Sequence, residues 1–340
     1  MPSSKRNLLA ASGQGGAYEG DIAVAHSTSP YITVYPWSSG FGTKYANPST
    51  LPTGQGAGVA FSPDGADIAV AHANSPYISV YPWSAGFGTK YANPATLPPW
   101  TGRSVAFSPD GADIAVAHLV SPYIAVYPWS AGFGTKYANP ATLPASTGDR
   151  VAFSADGADI AVAHSSSPYI TVYPWSAGFG TKYANPSTLP TGQGFSAEFS
   201  PDGADIALAH DSSPYISAYP WDSGFGTKYA NPSTLPAGTG RGVAFSPDGA
   251  DIAVVHNSSP FISIYPWSAG FGTKYADPST LPTGLALGLA FSPDGADIAV
   301  AHLVSPYITA YPWSAGFGTK YANPATLPTG SGTRVAFSPI

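Results

Sequence analysis

Along most of the chain, short apolar runs alternate with turn residues on a fixed period. Residues 59–62 are apolar and run into Pro63-Asp64-Gly65, a tight-turn triplet in which proline sets φ and glycine accepts a positive φ. Residues 67–72 alternate, with Ile68, Val70 and His72 on one side of an extended segment and Ala69 and Ala71 on the other. Ser75-Pro76 punctuates, and residues 77–83 form a third β-rich run. A Gly-rich link over 84–88 leads to residues 89–92, the predicted fourth strand, and then to Asn93-Pro94 and a Thr-Leu-Pro loop. Helices are not expected, because 36 prolines and 38 glycines would break their interiors.

The unit then repeats. Asp21, Asp67, Asp113, Asp159, Asp205, Asp251 and Asp297 mark the same place in seven near-identical copies, each 46 residues from the next. Four short strands per copy and seven copies predict an all-β fold, a seven-bladed β-propeller of four-stranded antiparallel blades. The two ends complete each other. Residues 13–20, GQGGAYEG, stand where other copies have an apolar strand, and the chain closes on VAFSPI over 335–340. The C-terminal strand 335–340 is therefore expected to complete the first blade and leave no sheet edge unpaired. The predicted organisation is a Gly-rich arm over 1–20 and one propeller over 21–340.

The copies differ from one another in two places. One follows the histidine of each copy (STS, ANS, LVS, SSS, DSS, NSS, LVS). The other follows Thr-Leu-Pro (TGQGAG, PWTGRS, ASTGDR, TGQGFS, AGTGRG, TGLALG, TGSGTR). In a four-stranded meander these connections leave the same end of the sheet, so both variable loops decorate one face of the disc. The predicted partner-binding face is Trp100, Arg103, Leu119, Val120, Phe195, Leu285, Leu287, Leu303 and Val304. Two copies carry Leu-Val after the histidine and also bulky residues in the preceding loop, so Trp100 is expected to touch Leu119 and Val120, and Leu285 and Leu287 to touch Leu303 and Val304. Such contacts also serve as plain loop staples.

Charge narrows the function. Only 9% of residues are charged, the net charge is −6, and no run of Lys or Arg exists, so nucleic acid is not an expected partner. No cysteine is present, which removes disulfides, iron–sulfur clusters and thiol catalysis. Residues 8–11 are too short an apolar run for a signal-peptide core, and no 18-residue apolar stretch appears, so a soluble chain without membrane insertion is expected.

Candidate chemistry is sparse. Each copy has one histidine (His26 to His302), and seven-fold placement keeps these rings too far apart for a shared metal ion. A structural histidine, hydrogen-bonded near a blade end, is the expectation. Asp64 and Asp67 lack the oxygen spacing of a calcium loop and are expected to be turn acceptors. Glu198 replaces an alanine in a central strand and is expected to face a wet channel. With no second carboxylate at a definable distance, it defines no glycosidase pair. No phosphate loop, nucleophile elbow or His-Glu zinc motif is present. Tyr81 and its copies are expected to pack between blades. Trp37, Trp83, Trp129, Trp175, Trp221, Trp267 and Trp313, each beside a proline and a flexible link, are expected to be part-exposed and able to stack on sugar rings.

The VAFSPDG segment followed by YITVYPW resembles the WD-repeat family of seven-bladed β-propellers over nearly the whole chain. No Gly-His precedes the first strand and Tyr-Pro-Trp stands in place of Trp-Asp, so the resemblance implies the fold alone. The GFGTKYANPATLPTG link is also similar to repeats in uncharacterised phage and environmental reading frames. With no catalytic constellation in the sequence, a non-enzymatic binding or structural module without cofactor or metal is expected, and the phage-like link together with the low charge suggests a virion surface or another extracellular place. Its unidentified partner would be a protein or glycan, and it would act as a monomeric ring or within a larger assembly. The alternative is a multivalent glycan-binding propeller, with the tryptophans as its sites.

Overall fold

The computed structural model describes residues 18–339, so most of the arm expected over 1–20 lies outside the described residues. Seven three-stranded antiparallel sheets are arranged as blades. In the second blade the innermost strand is Gly56–Phe61, the middle strand Asp67–His72 and the outer strand Ile78–Pro82. The other blades repeat this plan every 46 residues. The middle strand is buried along its whole length because neighbouring blades cover both of its faces. This suits its run of Ile, Ala and Val better than a one-sided alternation would.

The fourth strand does not form. Ahead of residues 89–92, where it was expected, Trp83 and Phe87 make an isolated bridge, and the N–H groups of Gly88 and Tyr91 donate to Pro82 O (2.8 Å) and Val80 O (3.0 Å). The donors are three residues apart while their acceptors are two apart. A regular ladder needs equal spacing, so the link follows the outer strand without joining it.

The ring closes as the sequence implies. The C-terminal strand Gly332–Phe337 pairs antiparallel with Glu19–His26, Val335 opposite Val24 and Phe337 opposite Ile22. The first blade lacks the Pro-Asp-Gly turn, and Tyr18 takes its place. Its hydroxyl lies 2.6 Å from Ser338 O and 2.9 Å from Ser338 Oγ, and its ring meets Phe337 edge-on.

Two expectations about the repeated residues are corrected. Asp64 is a turn acceptor, taking hydrogen bonds from Ser62 Oγ (2.6 Å) and the Ala66 N–H (3.0 Å). The landmark aspartate is instead a clamp between blades. Asp21 accepts from Tyr45 of its own blade (2.8 Å) and from the Trp83 indole N–H of the next (2.8 Å), and Asp297 accepts from Trp37 across the closure (2.9 Å). The seven tryptophans are therefore not part-exposed. They are 1–7% accessible, each locked edge-on against neighbouring Phe and Tyr rings (Trp83 at 5.0 Å from Phe87 and 5.2 Å from Tyr45). No ring face is left for a sugar, which removes the proposed glycan-stacking sites.

The histidines sit buried at the loop end of the middle strands. His72 Nε2 is 3.0 Å from Ser79 Oγ and His26 Nε2 is 2.9 Å from Thr33 Oγ1. Burial, which disfavours the charged ring, pushes each down to about 4. His118 stands apart: Ala125 occupies the Ser/Thr position seven residues after the histidine, and both ring nitrogens lack partners. Among the described residues no group of three or more His, Asp or Glu side chains gathers as a metal site. No described helix is long and apolar enough to cross a membrane.

Candidate active site at the channel mouth

The innermost strands surround a central lumen, and each contains one irregularity at the same place. In the second blade Gly56 pairs with His72 and Gly58 with Ala71, so Ala57 is an extra residue outside the ladder. A bulge of this kind re-aims one side chain without interrupting the strand. A glycine precedes the bulge in six blades because a Cβ at Gly56 would lie 2.3 Å from Tyr31 O. The bulge residues of successive blades are Ala57, Arg103, Asp149, Phe195, Arg241, Leu287 and Thr333. All seven line one small cavity of about 140 Å³ at the loop-side mouth of the lumen. Seven copies of one scaffold thus present seven mostly different side chains to a common point.

The mouth is strongly polar. Asp149, only 7% accessible, lies 3.6 Å from the Arg103 guanidinium and accepts from Gln193 Nε2 at 3.3 Å. Arg241 stacks over the Phe195 ring at 4.1 Å. Arg334, one residue beyond the last bulge, donates to Thr333 O (2.9 Å) and to Leu287 O. The Nε atoms of Arg241 and Arg334 are buried without partners.

These contacts shape the titration of the site. Burial pushes the Asp149 carboxyl up, opposed first by Arg103. Burial and the neighbouring Arg150 push Arg334 down to about 9. A guanidinium so disfavoured among its own kind is a prepared partner for an anion. Four of the five arginines in the sequence (Arg103, Arg150, Arg241 and Arg334) stand at the bulge or the residue after it.

Farther along the lumen, toward the face of the constant turns, lies a second cavity of about 470 Å³ that includes Arg150 and Glu198. The carboxylate and guanidinium are 4.0 Å apart. The lumen walls desolvate Glu198 and push its pKa up, with Arg150 opposing.

The residues predicted for the variable face separate into two groups. Arg103, Phe195 and Leu287 meet at the mouth. Trp100, Leu119, Val120, Leu285, Leu303 and Val304 belong to the surrounding loops. Trp100 is 53% exposed and leans back onto Tyr77 of the preceding blade (6.3 Å, stacked), where it was expected against its own blade's loop. Its neighbour Thr101 explains the lean, donating to Ala73 O (3.0 Å) in that preceding blade. In the seventh blade the two loops do join, the Leu303 N–H donating to Leu285 O (3.0 Å).

No protein-family model matches the chain, and no curated protein matches it. Solved structures do. A candidate 6-phosphogluconolactonase from Bacteroides uniformis superposes with a TM-score of 0.70 at 19% identity, over 94% of this chain and 99% of that one. A protein from Lactobacillus plantarum gives 0.74 at 18% identity, over the same shares. A periplasmic gluconolactonase from Pseudomonas aeruginosa gives 0.69 at 17%, again over 94% and 99%. The chain shares the fold of these propellers. The resemblance to the WD-repeat family thus holds for a seven-bladed propeller and no further. The expectation of a non-enzymatic module is corrected, because propellers matching the chain end to end include ones named as lactonases.

Asp149, Arg241 and Arg334 were not among the expected site residues, although their signal is in the sequence. The fifth letter of each Thr-Leu-Pro tail reads A, R, D, F, R, L, T and the sixth G, S, R, S, G, G, R, two varying columns after a nearly constant glycine, with Asp149 and Arg241 in the first and Arg334 in the second. Taken as loop, the tail hides that its last three letters already belong to the innermost strand.

Proposed function

We propose that the protein hydrolyses a lactone of an anionic sugar acid at the loop-side mouth of its channel. The observation that carries this reading is the meeting of a buried carboxylate, Asp149, with Arg103, Arg241 and Arg334 at one point of a lactonase-type scaffold. Water must lose a proton as it attacks the lactone carbonyl. Asp149, made more basic by burial and oriented by Arg103 and Gln193, takes that proton. Negative charge then develops on the carbonyl oxygen, where the Arg241 and Arg334 guanidinium groups stabilise it. As the tetrahedral intermediate collapses, the ring C–O bond breaks and the proton on Asp149 passes to the departing ring oxygen. The product is the open hydroxy acid. A phosphate or carboxylate on the substrate would be held by whichever arginine does not face the reacting carbonyl.

The test is base uptake at constant pH with D-glucono-1,5-lactone and its 6-phosphate. Saturable hydrolysis above the spontaneous rate is expected for at least one, with Asp149→Asn lowering kcat by about 100-fold or more. Rates equal to the spontaneous reaction with both substrates, or an unimpaired Asp149→Asn protein, would end this reading.

A further inference from the structure

The larger lumen cavity has a chemistry of its own. Each innermost strand pairs on one side only, so its other edge turns unpaired backbone N–H and C=O groups toward the axis. Three residues beyond the bulge, the lumen carries six alanines and a single glutamate, Glu198, at equivalent positions. Arg150 faces it at 4.0 Å, too far for a direct hydrogen bond, and the two side chains keep 26% and 35% of their surface open to the lumen. The pair is therefore an acceptor and a donor side by side, each with unused hydrogen-bonding capacity, at one place on an otherwise uncharged wall. The cavity of about 470 Å³ is of small-ligand size.

Local charge selects the ligand. A simple carboxylate would meet Arg150 but be repelled by Glu198. An amine would meet Glu198 but be repelled by Arg150. A neutral apolar molecule would strip water from both charges and compensate neither, and a neutral hydrogen-bonding one would pair with both without offsetting either charge. A molecule with adjacent ammonium and carboxylate groups satisfies both at once, and its remaining surface can rest on the alanine methyl groups and the free strand edges.

We propose that this chamber binds an uncharged-side-chain α-amino acid as its zwitterion, the carboxylate on Arg150 and the ammonium on Glu198. This site is separate from the lactone-hydrolysing mouth and does not depend on that activity. Calorimetric titration of the full-length protein with L-leucine, 4-methylpentanoate and 3-methylbutylamine tests it. Leucine is expected to bind saturably, and each single-charge analogue at least about tenfold more weakly. Glu198→Gln is expected to remove the preference for leucine over 4-methylpentanoate, with folding checked by its melting curve. The wild-type series decides alone if that variant does not fold. Absence of saturable leucine binding, equal binding of leucine and 4-methylpentanoate by wild type, or an undiminished preference in folded Glu198→Gln would each overturn the proposal.

Discussion

The blade bodies and the lumen wall are built from the same repeat yet obey opposite rules. In the bodies, the landmark aspartate, the tryptophan it clamps, the tyrosine it shares and the buried histidine recur in every copy, because each blade must fit the next. At the bulge, adjacent residues of one innermost strand part company. Gly56 and Gly102 keep the close approach, while Ala57 and Arg103 beside them are free to differ. Contact between blades enforces sameness. The mouth of the lumen, where seven side chains meet around an axis rather than pairwise, permits difference, and charge accumulates there. Individuality in a repeat protein is therefore best sought where the copies converge, ahead of the places where they are most exposed.

Four experiments would break or sharpen this contrast. Deleting residues 335–340 strikes the sameness hardest, since it leaves the first blade without its innermost strand. Calorimetry should show a loss well beyond the ~1 kcal/mol of an ordinary substitution. An unchanged melting temperature would contradict the closure.

Acid is the next largest perturbation. Histidines of the unfolded chain protonate near 6.5, and the buried ones near 4. Between those values the unfolded state binds protons that the native state refuses, so stability falls as pH drops through that window. Each ring contributes about 1.4 kcal/mol per pH unit there. Melting temperatures should hold above pH 7 and fall steeply between pH 6 and 4.5. A flat profile would show that the rings are not buried neutral.

Arg334→Ser separates scaffold from lumen, because serine already stands at the equivalent Ser104 and Ser196. Removing a guanidinium buried among others should raise stability by about 1 kcal/mol while reducing lactone turnover, as measured by melting and base uptake. Loss of both together would place Arg334 with the structural residues instead. The smallest effect is a repair. Ala125→Ser returns to His118 the hydroxyl partner that Ser79 gives His72 and should add about 1 kcal/mol of stability. A destabilised variant would mean that another group already satisfies that ring.

Seven blades, the order of strands within them, the closure by residues 335–340 and the single face shared by the variable loops were all legible in the sequence. Each follows from local periodicity and turn chemistry copied seven times, and local signals survive without coordinates. The sequence could not show that Trp83 is buried, since its cover comes from Asp21 and Tyr45 of the neighbouring blade, 62 and 38 residues away by sequence number. Nor could it show that the fourth strand fails, which depends on a one-residue mismatch between donors and acceptors. The site lay furthest beyond reach. Asp149 and Arg241 are two blades apart in the chain and face one cavity only because the ring closes. Repetition writes the fold into every copy. Convergence on an axis is a property of all seven together, and it exists only in three dimensions.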